Sequence, residues 1–284
     1  MGFSVNTNVS ALNTFRNLTN TQNSQSKSLE KLSSGLRINR AADDAAGLSI
    51  AEGLKAQVNG YSVAARNAQD GISVVQAAEG ALGESQSILQ RMRDLAVQAS
   101  SDTNNADART AIKSELDELA NELTRVVDST NFNGINLLTA AATDLTVQVS
   151  AEGAGSGNTI TIALAANDLE TIIGAGIAAG GGGSSLTVDT AANGQAAIET
   201  IDTALKAVST ARSNFGATQN RLEYAISNIN VAAENLTSAE SRIRDVDMAK
   251  EMMNYSRTNI LSQAGTAMLA QANQSNAGVL QLLG

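Results

Sequence analysis

Two apolar tracks with a strict seven-residue period constrain this chain more than any other feature. Leu54, Tyr61, Ala68, Val75, Leu82, Leu89 and Ala96 form the first, with Val58, Ala65 and Ile72 four places after its first three members. Ile201, Val208, Phe215, Leu222, Ile229, Leu236 and Ile243 form the second. A repeat of seven keeps one apolar seam facing a partner helix and imposes left-handed supercoiling. At a rise of roughly 1.5 Å per residue, each track describes about 60 Å of helix. One track lies in each half of the chain, so the two seams are natural partners. A third helix is predicted over 106–128, with Ala108, Ile112, Leu116, Leu119, Leu123 and Val126 on one stripe and cap-type residues in SSDTNNADA before it.

Composition agrees with slender helix packing. Apolar residues make up 43% of the chain but aromatic ones only 2%, so burial must come from Ala, Leu, Ile and Val. The fold class expected is mainly α: an elongated antiparallel coiled-coil or helix bundle that pairs the two halves, with a small β-hairpin insertion. Within that insertion DLTVQVS (144–150) and NTITIAL (158–164) alternate apolar and polar residues around an EGAGSG loop. SSLTVD (184–189) reads as a possible third strand. Gly180 to Gly183 read as a linker, since no GK[ST] follows them and no GxGxxG opens a helix.

Many chemistries are excluded. The chain has no Cys and no His, hence no disulfide, no thiolate or imidazole metal site and no catalysis that needs either side chain. Asp43 and Asp44 precede the first long helix, where negative charge complements the helix dipole, and are read as structural. The STNFNG segment (129–134) resembles the start of a calcium loop, but Ser129 and Ala140 stand where Asp and Glu are required. No enzyme activity, cofactor or metal is expected. The net charge of −9 and the absence of a dense Lys/Arg block argue against nucleic acid. No apolar run approaches a membrane span, and MGFSVNTNVSALNTF has neither the charged nor the apolar region of a cleaved secretory signal.

The two ends differ from the middle. Residues 1–40 carry a balance of +4 and residues 242–284 a balance of +1, which leaves −14 for residues 41–241. Of the first 30 residues, 17 are Asn, Ser, Thr or Gln, with Val5, Val9, Leu12 and Phe15 thinly spaced among them. The C-terminal arm has its own seven-residue track, Val246, Met253, Ile260 and Ala267, joined by Met252, Leu261, Ala264, Met268 and Leu269. Arms with so little apolar surface do not offset their ordering entropy alone. They are expected to stay loosely ordered in a lone chain and to order by stacking on copies of themselves.

LEKLSSGLRINRAADDAAGLSIAEGL (29–54), ARNAQDGISVVQAAEGAL (65–82), NLTSAESRIRDVDMAKEMMNYSR (235–257) and ILSQAGTAMLAQANQ (260–274) closely resemble bacterial flagellin over about 1–140 and 195–284. The resemblance implies a structural subunit that self-assembles into the flagellar filament; the alternative is a flagellin-like hook–filament junction protein. It implies an inner coiled-coil domain from 1–44 with 244–284 that lines the filament channel. A helical rod domain would come from 45–140 with 195–243, and a short variable insertion from 141–194. Val5, Leu12, Leu29, Leu32, Ile260, Leu261, Met268, Leu269, Leu280 and Leu283 would be the packing residues of polymerisation. LQRMRDLAVQ (89–98) resembles the patch read by the host Toll-like receptor for flagellin, with Gln90, Arg91 and Leu95 matching it and Glu115 matching on the next helix. Packing between subunits is the competing use of that surface. Further partners implied are the export chaperone on the C-terminal arm and the hook-associated and cap proteins. The location implied is extracellular, reached unfolded through the type III export channel without a cleaved signal.

Overall fold

A computed structural model describes residues 7–153, 155, 157–165, 169–174, 177 and 186–283. Its elements are α1 (Val9–Ser34), α2 (Ala45–Ala99), α3 (Ala106–Ser129), β1 (Asn131–Phe132), β2 (Ile135–Asn136), β3 (Leu145–Gln148), β4 (Thr159–Ile162), α4 (Leu169–Gly174), α5 (Ala191–Arg244) and α6 (Met248–Leu283). The chain divides into two compact units, residues 57–233 and residues 1–56 with 234–284.

In the first unit α2 and α5 run antiparallel. Arg93 pairs with Asp202 at 2.6 Å, and Arg212 reaches Gln86 at 2.6 Å and Glu79 at 3.4 Å. A Cβ on Gly194 would stand 2.9 Å from the backbone of Ser100, so only glycine lets these helix ends approach so closely. Ala68, Val75, Leu82, Leu89 and Ala96 from the first track and Ile201, Val208, Phe215, Leu222 and Ile229 from the second are all buried. α3 adds Ile112, Leu116, Ala120, Leu123 and Val127 to the same core. Its inward stripe ends on Val127, with Val126 only half-buried, because the 3.6-residue turn carries the stripe one position past the expected register. Asn105 caps α3, its Oδ1 accepting from Ala108 N at 2.8 Å.

Both hairpins are antiparallel. β1 and β2 join through Asn133 and Gly134, whose φ angles of 50° and 79° suit the two-residue turn that an Asn-Gly pair favours. β3 and β4 pair Leu145 with Ile162 and Val147 with Ile160, as their alternation predicts. Val149 and Ile160 pack with Ala64, Ala68, Ile72 and Leu222 of the long helices. The expected third strand does not form: residues 186–188 are not in a strand, and Ser184 and Ser185, like Gly180 to Gly183, lie outside the described residues. Leu186 and Val188 satisfy their alternation by burial in the helical core, together with Ile162, Leu164, Leu169 and Ile173. The described part of the insertion thus contributes to the core on which the long helices depend.

The second unit holds α1 and α6, which pack along each other. Their pairing is antiparallel: Asn8 Nδ2 donates to Ala272 O at 3.0 Å, and Leu18 lies against Gly265. The connectors that follow α1 and α5 are stitched by a single β-bridge, Leu36 with Asp245. Arg37 N donates to Arg244 O, Val246 N donates to Gly35 O, and the Arg37 guanidinium donates to Ile243 O at 2.7 and 3.2 Å. Arg244 pairs with Glu52 at 2.8 Å and so ties the end of α5 to the start of α2. Asp44 Oδ1 accepts from Gly47 N at 2.9 Å at the entry to α2. Asp43 Oδ2 accepts from Arg40 N at 3.0 Å and Asn39 N at 3.3 Å. The acidic pair therefore shapes a turn and caps a helix.

Candidate functional site

The terminal helix pair has an unusual division of labour. The face of α1 turned to α6 carries Ala11, Thr14, Leu18, Thr21, Gln25, Ser28 and Leu32, in alternating steps of three and four. The matching face of α6 carries Glu251, Tyr255, Thr258, Ser262, Gly265, Leu269 and Ala272. Those steps are coiled-coil spacing, yet most of these side chains are small or polar. The large apolar residues point elsewhere. Val9, Leu12, Phe15 and Leu29 are exposed on α1; Met248, Met252, Met253, Ile260, Leu261 and Met268 are exposed on α6, Ile260 and Met253 at 66% each.

Of the seven-residue track Val246, Met253, Ile260 and Ala267, the last three residues face away from α1. The inner seam follows a weaker pattern of small residues at the same spacing. Its one sharp signal in the sequence is Gly265, where a Cβ would meet Leu18 Cδ1 at 3.0 Å.

Of the ten candidate packing residues, Leu12, Leu29, Ile260, Leu261 and Met268 lie on the exposed faces. Leu32 and Leu269 are half-buried in the inner seam. Val5 and the side chains of Leu280 and Leu283 lie outside the described residues. On α6, Met252, Met253, Ser256, Arg257, Ile260 and Leu261 line one continuous and mainly apolar surface. Apolar surface so arranged is costly to leave wet and marks a site of association.

The second candidate patch splits in two. Gln90, Arg91 and Glu115 are exposed. The Arg91 guanidinium donates to Glu115 Oε1 at 2.6 and 3.1 Å, which joins α2 to α3 across the surface. Leu95 does not share that surface. It is 2% exposed and packs in the helical core with Met92, because the seam that buries Leu89 and Ala96 takes in the position beside them.

Electrostatic perturbations are local. The Arg40 guanidinium, aided by Asn39, holds the Glu30 carboxyl below its ordinary value. The backbone N–H groups of Arg40 and Asn39 do the same for Asp43. Hydrogen bonds to the charged form are the main cause in both. Among the described residues no group of three or more acidic side chains could hold a metal ion, and no helix is long and apolar enough to cross a membrane.

A long helical core in one unit, and in the other a terminal helix pair with its apolar side outward, are features of a structural protein rather than of a catalytic pocket. Comparison with known proteins makes this specific. The family model for the bacterial flagellin N-terminal helical region matches residues 5–143, and that for the C-terminal helical region matches residues 198–283. The chain belongs to the bacterial flagellin family. It is 53% identical over 279 residues to a flagellin of Halalkalibacterium halodurans, covering 98% of this chain and 99% of the relative. It is 44% identical over 311 residues to a flagellin of Bacillus subtilis, covering 98% and 99%. The crystal structure of a Bacillus cereus flagellin superposes with a TM-score of 0.50 at 30% identity, covering 62% of this chain and 94% of that one.

Proposed function

We infer that this chain is a structural subunit that polymerises into the flagellar filament outside the cell, and that the exposed faces of α1 and α6 drive the polymerisation. One observation carries the reading: the pair is held together by small and polar residues while Leu12, Leu29, Ile260, Leu261 and Met268 remain uncovered. Burial of such side chains releases about 1.5–3 kcal/mol each, and copies of the chain supply the covering surface. The flagellin resemblance gives Val5, Leu280 and Leu283 the same role in polymerisation.

On this reading 1–44 with 244–284 form the inner domain around the channel, 45–140 with 195–243 the rod outside it, and 141–194 the outward insertion. The bare α6 face also suits an export chaperone, which would cover it before assembly, and the cap and hook-associated proteins would meet the same arms at the filament's ends. Gln90, Arg91 and Glu115 form the surface offered to the Toll-like receptor, with Leu95 supporting it from beneath. Export proceeds through the flagellar channel.

Seeded assembly of the purified chain, read by sedimentation and electron microscopy, tests the reading. Long filaments are expected, and a chain lacking 244–284 should remain monomeric with its helical core intact. A full-length chain that stops at small oligomers would overturn it.

A further inference from the structure

The chain contains six methionines. Met92 is fully buried between α2 and its neighbours, and Met1 lies outside the described residues. The other four, Met248, Met252, Met253 and Met268, all sit on α6, and all are exposed, between 48% and 66%. With no cysteine in the chain, these thioethers are its softest nucleophiles.

We propose that the outward methionines of α6 are an oxidant-sensitive modification site that controls addition of the subunit to a growing filament. The inference rests on the filament reading above. The oxidant is a hydroperoxide. A thioether lone pair attacks its distal oxygen, the O–O bond breaks and an S–O bond forms. Sulfur gives up two electrons, and the departing oxygen takes up the hydroperoxide's proton to leave as water or an alcohol. The product is methionine sulfoxide, which turns a flexible apolar side chain into a polar one.

The geometry explains why the lone chain tolerates this change and the assembly does not. The four side chains lie away from the α1 seam, so oxidation leaves the Leu18–Gly265 contact and the stitched connectors untouched. Ser256 and Arg257, which share the surface with Met252 and Met253, can donate to a sulfoxide oxygen in water. Against another copy's apolar face the same oxygen must be desolvated. A polar group buried without a full complement of partners weakens association about tenfold for each such group.

The test uses the full chain, graded hydrogen peroxide, peptide mass mapping and seeded assembly. Sulfoxide should accumulate at Met248, Met252, Met253 and Met268 before Met92. The oxidised subunit should add at least about tenfold more slowly, and methionine sulfoxide reductase should restore the rate. A Met248→Leu, Met252→Leu, Met253→Leu, Met268→Leu chain keeps the apolar volume and should assemble equally well with or without peroxide. Oxidation of Met92 first, an oxidised subunit that assembles at the untreated rate, or loss of assembly by the quadruple variant on peroxide treatment would each overturn the proposal. If the untreated wild-type chain forms no filaments, the filament reading fails instead, while the order of oxidation still reports on the site.

Discussion

Replacing Ile260 by alanine should weaken assembly without weakening the subunit. Ile260 is 66% exposed on α6, so about two-thirds of its side chain remains to be buried. Isoleucine exceeds alanine by about three carbon groups, each worth about 0.8 kcal/mol on burial. Two-thirds of that is about 1.6 kcal/mol, which corresponds to a critical concentration about tenfold higher. The subunit itself feels the opposite sign. Alanine is the better helix former by a few tenths of a kcal/mol, and Ile260 faces away from the α1 seam. Sedimentation of seeded assembly gives the critical concentration, and a thermal melt of the unassembled chain gives the control. A critical concentration within twofold of wild type, or a lowered melting temperature, would refute the reasoning.

Three further outcomes follow from the geometry. Phe215→Ala removes a fully buried ring from the core that α2, α3 and α5 share and should destabilise residues 57–233 by about 3–5 kcal/mol in chemical denaturation. Arg91→Ala removes an exposed ion pair and should cost less than about 1 kcal/mol, whereas Leu95→Ala opens a core cavity and should cost about 2–5 kcal/mol, so a receptor assay on Arg91→Ala alone separates recognition from folding. Glu30 and Asp43 have lowered values in the folded chain, so their contribution is present above the ordinary carboxylate range and is lost as pH falls through those folded values. An Asp43→Asn chain should therefore melt below wild type at neutral pH and converge with it in acid; a gap that stays constant across the titration would contradict this.

Both long helices were legible in the sequence because their seven-residue tracks are apolar and their partners lie in the same chain. Val75, Leu82 and Leu89 are buried in one core with Val208 and Phe215, as the period demands. The track on α6 is equally periodic but faces outward: periodicity reveals an apolar face, not whether the surface that covers it belongs to the same molecule. The true seam was hard to see because Thr14, Thr21, Ser262 and Gly265 carry little hydrophobic signal. Leu95 lies close to exposed Arg91 and Asp94 in sequence, but the turn of the helix places it inward. Leu186 and Val188 alternate as a strand would, yet their burial is met by helices and no ladder forms. α4 is a single short turn-length helix with no periodicity to betray it.

The absence of cysteine allows one direct measurement, because any introduced thiol is unique. Ser256 lies among Met252, Met253 and Ile260 on the exposed α6 surface, and Ser256→Cys changes little but the reactive atom. The rate of thiol labelling should be close to that of a free peptide in the lone subunit and fall by orders of magnitude in filaments. Equal labelling rates in subunit and filament would show that this face is not where copies of the chain meet.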